Sequence, residues 1–241
     1  MEIILYLSNG YPTIESSIQM AKEYADAGCG MIEIDFPSHD PFLESELIKD
    51  RMKKALEACG DYDAYMEEIV RVKKELPQVK LLVLSYENTV REIGIEKYIR
   101  FCLDNDLKDV LLVGVTDNEV KDRFLEAGLR VSCYVQFQML DEEIESAKNS
   151  NGFVYLQAKV TPGQGYVNPK YPTLKDCIQC LRDHGIDRPI YCGVGVHAPE
   201  DVKMVKDAGG DAAFVGSTIL KLQEDISAMK EKIREFAAQC K

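Results

Sequence analysis

Pro189-Ile190-Tyr191-Cys192-Gly193-Val194-Gly195-Val196-His197-Ala198-Pro199-Glu200-Asp201-Val202-Lys203-Met204-Val205-Lys206-Asp207-Ala208-Gly209-Gly210-Asp211-Ala212-Ala213-Phe214-Val215-Gly216-Ser217-Thr218 holds one full turn of the pattern that decides the fold. An apolar run, 189–196, reads as a strand. The stretch 199–208 reads as a helix, and Gly209-Gly210 stands where a helix must stop. A second apolar run, 212–215, is a second strand, and helical periodicity resumes from Thr218 to Gln239. Two strands separated by one helix cannot form a hairpin; they are the parallel strands of a crossover unit.

The same alternation extends back to the N-terminus. Strands are expected at 3–8, 31–36, 80–86, 109–114, 130–137 and 153–160. Helices are expected at 13–27, 45–58, 62–75, 95–105, 119–127, 141–149 and 173–184. Gly28, Gly128 and Gly185 fall at helix ends like Gly209. No linker, low-complexity segment or break in composition interrupts the series. Eight strand–helix alternations in 241 residues predict a single (β/α)8 TIM barrel over residues 1–241, close to the usual barrel length of about 250. An open, doubly wound parallel sheet is the alternative.

Composition narrows the function classes. The net charge is −12, from 41 acidic and 29 basic residues. With no basic stripe, nucleic-acid binding is not expected. No apolar run approaches the ~20 residues of a membrane span, and Met1–Tyr6 has neither a basic n-region nor a small-residue cleavage site. A cytoplasmic location without membrane association is expected. The eight cysteines (29, 59, 102, 133, 177, 180, 192 and 240) are scattered. Cys177 and Cys180 form a lone CxxC inside a helical pattern, which reads as packing rather than as a metal or redox pair.

Barrel ligands sit at the carboxyl ends of the strands. There the chain places Thr161-Pro162-Gly163-Gln164-Gly165 after strand six, Gly193-Val194-Gly195 at the end of strand seven, and Gly216-Ser217 after strand eight. Glycines let backbone N–H groups approach an anion, and a helix start adds partial positive charge. Taken singly, each glycine only permits a tight turn. Together on adjacent strands they predict a phosphate site.

Strand two reads Met31-Ile32-Glu33-Ile34-Asp35. Period two puts both isoleucines on one face and both carboxylates on the other. With the isoleucines against helices, Glu33 and Asp35 point inward, where burial and mutual repulsion raise a carboxyl pKa and suit it to proton transfer near neutrality. Pairing with a barrel cation such as Lys159 is the competing, structural role. His39 in the next loop is a further titratable group. Strand six carries Tyr155, Gln157 and Lys159 on one face; Lys159 would pair with phosphate or carboxylate, or form a Schiff base with a carbonyl substrate.

These segments resemble the tryptophan synthase α subunit family over nearly the whole chain. Ile32-Glu33-Ile34-Asp35-Phe36-Pro37-Ser38-His39-Asp40-Pro41 resembles its E-x-x-x-P-x-x-D-P signature, Gly10-Tyr11-Pro12-Thr13 its first loop, and Ser85-Tyr86-Glu87-Asn88 its strand-three Y-x-N. Phe153-Val154-Tyr155-Leu156, Gly193-Val194-Gly195-Val196 and Gly216-Ser217 fit its later motifs in order. The resemblance implies a carbon–carbon lyase of tryptophan biosynthesis that cleaves indole-3-glycerol phosphate, or a related small phosphorylated substrate, to indole and glyceraldehyde 3-phosphate. It implies no cofactor and no metal. Glu33 and Glu44 are the implied catalytic pair, with Glu33 as acid/base and Glu44 near the indole N–H. Asp35, Tyr86, Tyr155 and Lys159 line the substrate pocket, and Gly163, Gly195, Gly216 and Ser217 hold the phosphate. A tryptophan synthase β subunit is the implied partner.

The departures matter. Glu44 stands for aspartate, Asp35 for glycine, Ser38-His39 for an aromatic–serine pair and Lys159 for arginine, while Gly114-Val115-Thr116 stands for an acidic, proline-containing turn. The family's extra N-terminal helix has no counterpart. Two other functions stay open: a Schiff-base phosphosugar aldolase using Lys159, and a non-catalytic homologue that binds a phosphorylated ligand.

Overall fold

The computed structural model describes residues 1–42, 44–161, 163 and 166–241. In chain order the elements are β1 (Glu2–Leu7), α1 (Ile14–Asp26), β2 (Met31–Asp35), α2 (Glu46–Ala58), α3 (Tyr62–Glu75), β3 (Lys80–Tyr86), α4 (Glu87–Ile93), α5 (Ile95–Asp104), β4 (Asp109–Val113) and α6 (Glu119–Glu126). There follow β5 (Arg130–Val131), β6 (Cys133–Val135), α7 (Asp141–Lys148), β7 (Val154–Gln157), α8 (Leu174–Asp183), β8 (Ile190–Gly193), α9 (Pro199–Ala208), β9 (Ala212–Val215), α10 (Ser217–Leu220) and α11 (Ile226–Ala238).

The chain groups into two compact units. One comprises Tyr6–Asp26 and Gly30–Val131; the other comprises Met1–Leu5, Ala27–Cys29 and Ser132–Lys241. In the first, β5, β4, β3 and β2 lie side by side. The register pairs Glu33 with Leu82 and Asp35 with Leu84. All five residues of β2 are buried, as befits a parallel strand covered on both faces. Its aromatic core has Phe36 edge-on to Tyr98 and Phe101, with Tyr98 stacked on Phe124 at 5.2 Å. Caps fix the helices: Ser45 accepts from the Ile48 N–H at α2, and Asp61 from the Asp63 N–H at α3.

In the second unit, the order is β1, β9, β8, β7 and β6, with each pair parallel. Tyr155 stacks on Phe214 at 4.3 Å, and Phe153 packs on Tyr191 at 4.7 Å. A capping box between Thr173 and Asp176 starts α8. Gly209 ends α9 in the left-handed region, at φ 92°, where a side chain would be strained. Cys177 and Cys180 are buried on α8, all eight cysteines are free, and burial pushes the Cys177 thiol up to about 12. Packing is therefore their role in the fold.

Three elements differ from the expected series. The fifth strand is two short strands: β5 bonds to β4 and β6 to β7, with Ser132 in neither ladder. Helix α4 was not expected. Its sequence, Glu87-Asn88-Thr89-Val90-Arg91-Glu92-Ile93, is rich in weak helix formers, and buried Glu87, Thr89 and Val90 hold it in place. The C-terminal helix is broken into α10 and α11, the second capped afresh by Asp225, which accepts from the Ala228 N–H. Among the described residues, no helix is long and apolar enough to cross a membrane.

Candidate active site

The carboxylates of β2 sit in a buried polar cluster. Glu33 is 8% exposed and Asp35 fully buried. The Asp35 carboxylate is held on both oxygens: the Tyr6 hydroxyl donates to Oδ2 at 2.6 Å, and the Asn9 N–H donates to Oδ1 at 2.6 Å. Across the same cluster, the Tyr86 hydroxyl donates to Glu44 Oε1 at 2.8 Å. Burial pushes Glu33 up to about 8, and the negative charges of Glu44 and Asp35 add to the effect. Burial likewise lifts Asp35, to about 7, although the Tyr6 and Asn9 hydrogen bonds pull it back. Burial also raises Glu44 against the pull of Tyr86. Three acidic groups with no adjoining buried cation among the described residues cannot all ionise at neutral pH, so the cluster retains protons. A protonated carboxyl next to ionised ones can both give and take a proton, as acid–base chemistry requires.

The loop after β2 is laced to the start of α4. The Ser38 hydroxyl donates to Asn88 Oδ1 at 3.1 Å, and Asn88 Nδ2 donates to the Asp40 carbonyl at 3.1 Å. The Tyr62 hydroxyl donates to the Pro37 carbonyl. His39 is largely exposed, 3.8 Å from Glu92, and among the described residues makes no hydrogen bond or ion pair with Glu33, Asp35 or Glu44. Glu87 is buried and accepts from both the N–H and the hydroxyl of Thr116. It thereby ties down the Gly114-Val115-Thr116 turn.

The second unit carries the glycine-rich strand ends. Gly195 has φ +97°, and a Cβ there would lie 2.9 Å from Lys159 Cβ. Only glycine meets both constraints. Val194 before it also has a positive φ, 55°, an uncommon state for a β-branched residue and one found at ligand-holding turns. Tyr155 lies over Gly193, where a Cβ would come within 2.7 Å of the phenol Cζ. Gly163 also has a positive φ, 95°; Pro162, Gln164 and Gly165 of the same motif lie outside the described residues. Gly216 caps α10, whose first residue is Ser217. That helix has only four residues, shorter than the helix expected from position 218. Its first N–H groups still lack intrahelical acceptors. Buried Gln157 accepts from the Phe137 N–H and donates to the Lys159 carbonyl at 2.7 Å, fixing the end of β7.

Lys159 is committed to Asp201: its ammonium donates to Oδ1. The other oxygen, Oδ2, accepts from the His197 and Ala198 N–H groups at 2.8 and 3.0 Å. Burial opposes ionisation of Asp201, but these donors outweigh it and hold the carboxyl below its ordinary range. An ammonium tied to an ionised carboxylate is a poor amine nucleophile, which argues against a Schiff base.

The family model described as tryptophan synthase alpha chain matches residues 1–241. The chain belongs to the tryptophan synthase alpha chain family. It is accordingly a lyase of the tryptophan synthase α type. It is 26% identical to the tryptophan synthase alpha chain of Methanopyrus kandleri, over 98% of this chain and 87% of that one. It is also 26% identical to that of Caldicellulosiruptor bescii, over 98% and 91%. Its structure matches one from Aquifex aeolicus with a TM-score of 0.85 at 22% identity, covering 99% of this chain and 92% of that one. It matches the tryptophan synthase subunit alpha of Campylobacter jejuni with a TM-score of 0.82 at 22% identity, covering 98% and 95%. These likenesses show the (β/α)8 barrel fold.

Within this member of the family, the structure brings Glu33, Asp35, Glu44 and Tyr86 into one cluster and adds Tyr6 and Asn9, which sequence reasoning missed. Nothing local marks Tyr6 on an apolar strand. Asp201 was missed as well, although its place three residues past Ala198 at a helix start is a legible capping signal. Glu44, one methylene longer than aspartate, is anchored by Tyr86. Asp35 is stabilised by two hydrogen-bond donors rather than left as a bare carboxylate.

Proposed function

We propose that this chain cleaves indole-3-glycerol phosphate, or a close phosphorylated analogue, to indole and glyceraldehyde 3-phosphate. The observation that carries the reading is Glu33, buried, raised to about 8 and flanked by Asp35 and Glu44. Protonated Glu33 donates to the indole carbon that bears the side chain. The resulting cationic ring is the electron sink for breaking the carbon–carbon bond. As carboxylate, Glu33 then takes the proton from the carbinol hydroxyl while the aldehyde forms, so it ends as it began. Glu44, oriented by Tyr86, accepts from the indole N–H. Tyr86, bonded to Glu44, and Tyr155 are the further residues that contact the substrate. Gly163, Gly195, Gly216 and Ser217 supply the N–H groups and hydroxyl for the phosphate, and Lys159, through Asp201, holds the loop after β8 in shape.

Incubation with indole-3-glycerol phosphate should release indole, and Glu33→Gln should slow the release about 10²- to 10⁴-fold. No indole from the intact chain, alone or with a tryptophan synthase β chain, would sink the specific reaction. The β chain is the proposed partner, and its co-elution with this chain on gel filtration tests that separately.

A further inference from the structure

Glu68 is a second buried carboxyl, on α3, and no step of the proposed chemistry uses it. It is 2% exposed. Among the described residues it has no ion pair, since neighbouring Arg71 is occupied by Glu15 and Glu75. Its one hydrogen-bond partner is the Ser17 hydroxyl of α1, and its other oxygen, Oε2, is buried and unpartnered.

The surroundings of Ser17 decide which atom donates. Ser17 Oγ lies near four acceptors: Glu68 Oε1, the Ile14 carbonyl at 3.0 Å, and the Thr13 carbonyl and Asn9 Oδ1 at 3.5 Å. It also accepts from the Gly10 N–H at 3.1 Å. A hydroxyl has one hydrogen and two lone pairs. If Glu68 is the neutral acid and donates, the count closes at Ser17, which accepts from Glu68 and Gly10 and donates to Ile14, and the bare Oε2 carries no charge. If Glu68 is ionised, Ser17 must satisfy it alone, leaving a buried charge with a bare oxygen, which is costly.

We propose that Glu68 is a positioning residue for the carboxylate cluster: as a neutral acid it donates to Ser17, and Ser17 fixes the Asn9-Gly10 turn whose N–H clamps Asp35. The inference rests on the acid–base reading of that cluster. The groups facing Glu68 agree with it. Burial pushes Glu68 up to about 8; Asp35 on β2 and Glu15 on α1 add to this, while the Ser17 hydroxyl and Arg71 on α3 offset it. Tyr65, also on α3, is raised chiefly by burial, with Cys59, Asp35 and Glu68 adding to it. The clamp lowers the Asp35 pKa through the Asn9 N–H. Loosening the turn therefore raises it.

The test uses the full chain with 13C-labelled carboxyl groups, titrated by NMR without substrate. Glu68 should remain protonated at pH 7. Glu68→Gln keeps a donor toward Ser17 and should leave the Asp35 titration in place. Glu68→Leu and Ser17→Ala should each raise it, as should Tyr6→Phe, and should lower kcat roughly 10- to 100-fold with a smaller change in KM. Ionisation of Glu68 in the ordinary carboxylate range would overturn the proposal. So would an Asp35 titration unmoved in folded Ser17→Ala, or moved equally by Glu68→Gln and Glu68→Leu. If the titrations behave as stated and no indole is released, only the functional reading fails.

Discussion

At Glu33, burial and two neighbouring negative charges hold a proton that an exposed glutamate would have lost well below neutrality. The acid form starts the proposed reaction, so kcat/KM should fall as pH rises through about 8. Removing one of the charges that raise Glu33 should shift this limb. Asp35→Asn is expected to move the fall to lower pH, and a pH–rate profile of indole release reads both effects. Glu33→Gln keeps the shape and removes the transferable proton. It should lower kcat about 10²- to 10⁴-fold while the phosphorylated substrate still binds, measured by calorimetry beside the assay. Substrate binding lost along with turnover would assign Glu33 a structural role instead.

At the scale of elements, two turns of the second unit are held by local geometry that one atom can spoil. Gly195→Ala puts a Cβ against Lys159 in the left-handed region. The strain should cost about 1–3 kcal/mol, and binding of inorganic phosphate should weaken in parallel; unchanged phosphate affinity would remove Gly195 from the cradle. Asp201 joins the start of α9 to Lys159. Asp201→Ala strands one ammonium and two N–H groups, and should cost roughly 2 kcal/mol in denaturant unfolding. Other elements show what a periodic pattern can reveal. The helix 199–208 and the strands 31–35 and 80–86 were legible because their apolar spacing and glycine stops lie within a few residues. The break at Ser132 was not, because each half of that stretch follows a different neighbouring strand. Helix α4 was hidden for the same reason: burial of Glu87 and Thr89 overrides weak propensity.

For the whole molecule, raised carboxyls are a statement about stability. Glu33, Glu68 and Asp35 all have folded-state values above their unfolded ones. Between the ordinary carboxylate range and pH 7–8 the folded chain therefore binds more protons than the unfolded chain, and stability falls as pH rises. The stabilisation is complete below about pH 4 and lost as pH passes 7–8. Each such group contributes a slope of about 1.4 kcal/mol per pH unit within its window. Urea unfolding at pH 5, 6, 7 and 8 should show a decline, shallower by one proton in Glu68→Gln. A stability independent of pH across that range would contradict the raised values.

Sequence alone determined most of the strand–helix series, the shared face of Glu33 and Asp35, and the clustering of glycines at the ends of the late strands. Each follows from spacing along the chain, where period two, helical periodicity and glycine's backbone freedom act locally. Tertiary structure decided the rest. Tyr6 and Asn9 meet Asp35 across 29 and 26 residues, Tyr86 meets Glu44 across 42, and Lys159 meets Asp201 across 42. Whether a carboxyl is neutral or charged depends on burial and on such distant partners, which no local pattern carries. The same sequence position can therefore be read as acidic from the chain, yet only the fold makes it an acid.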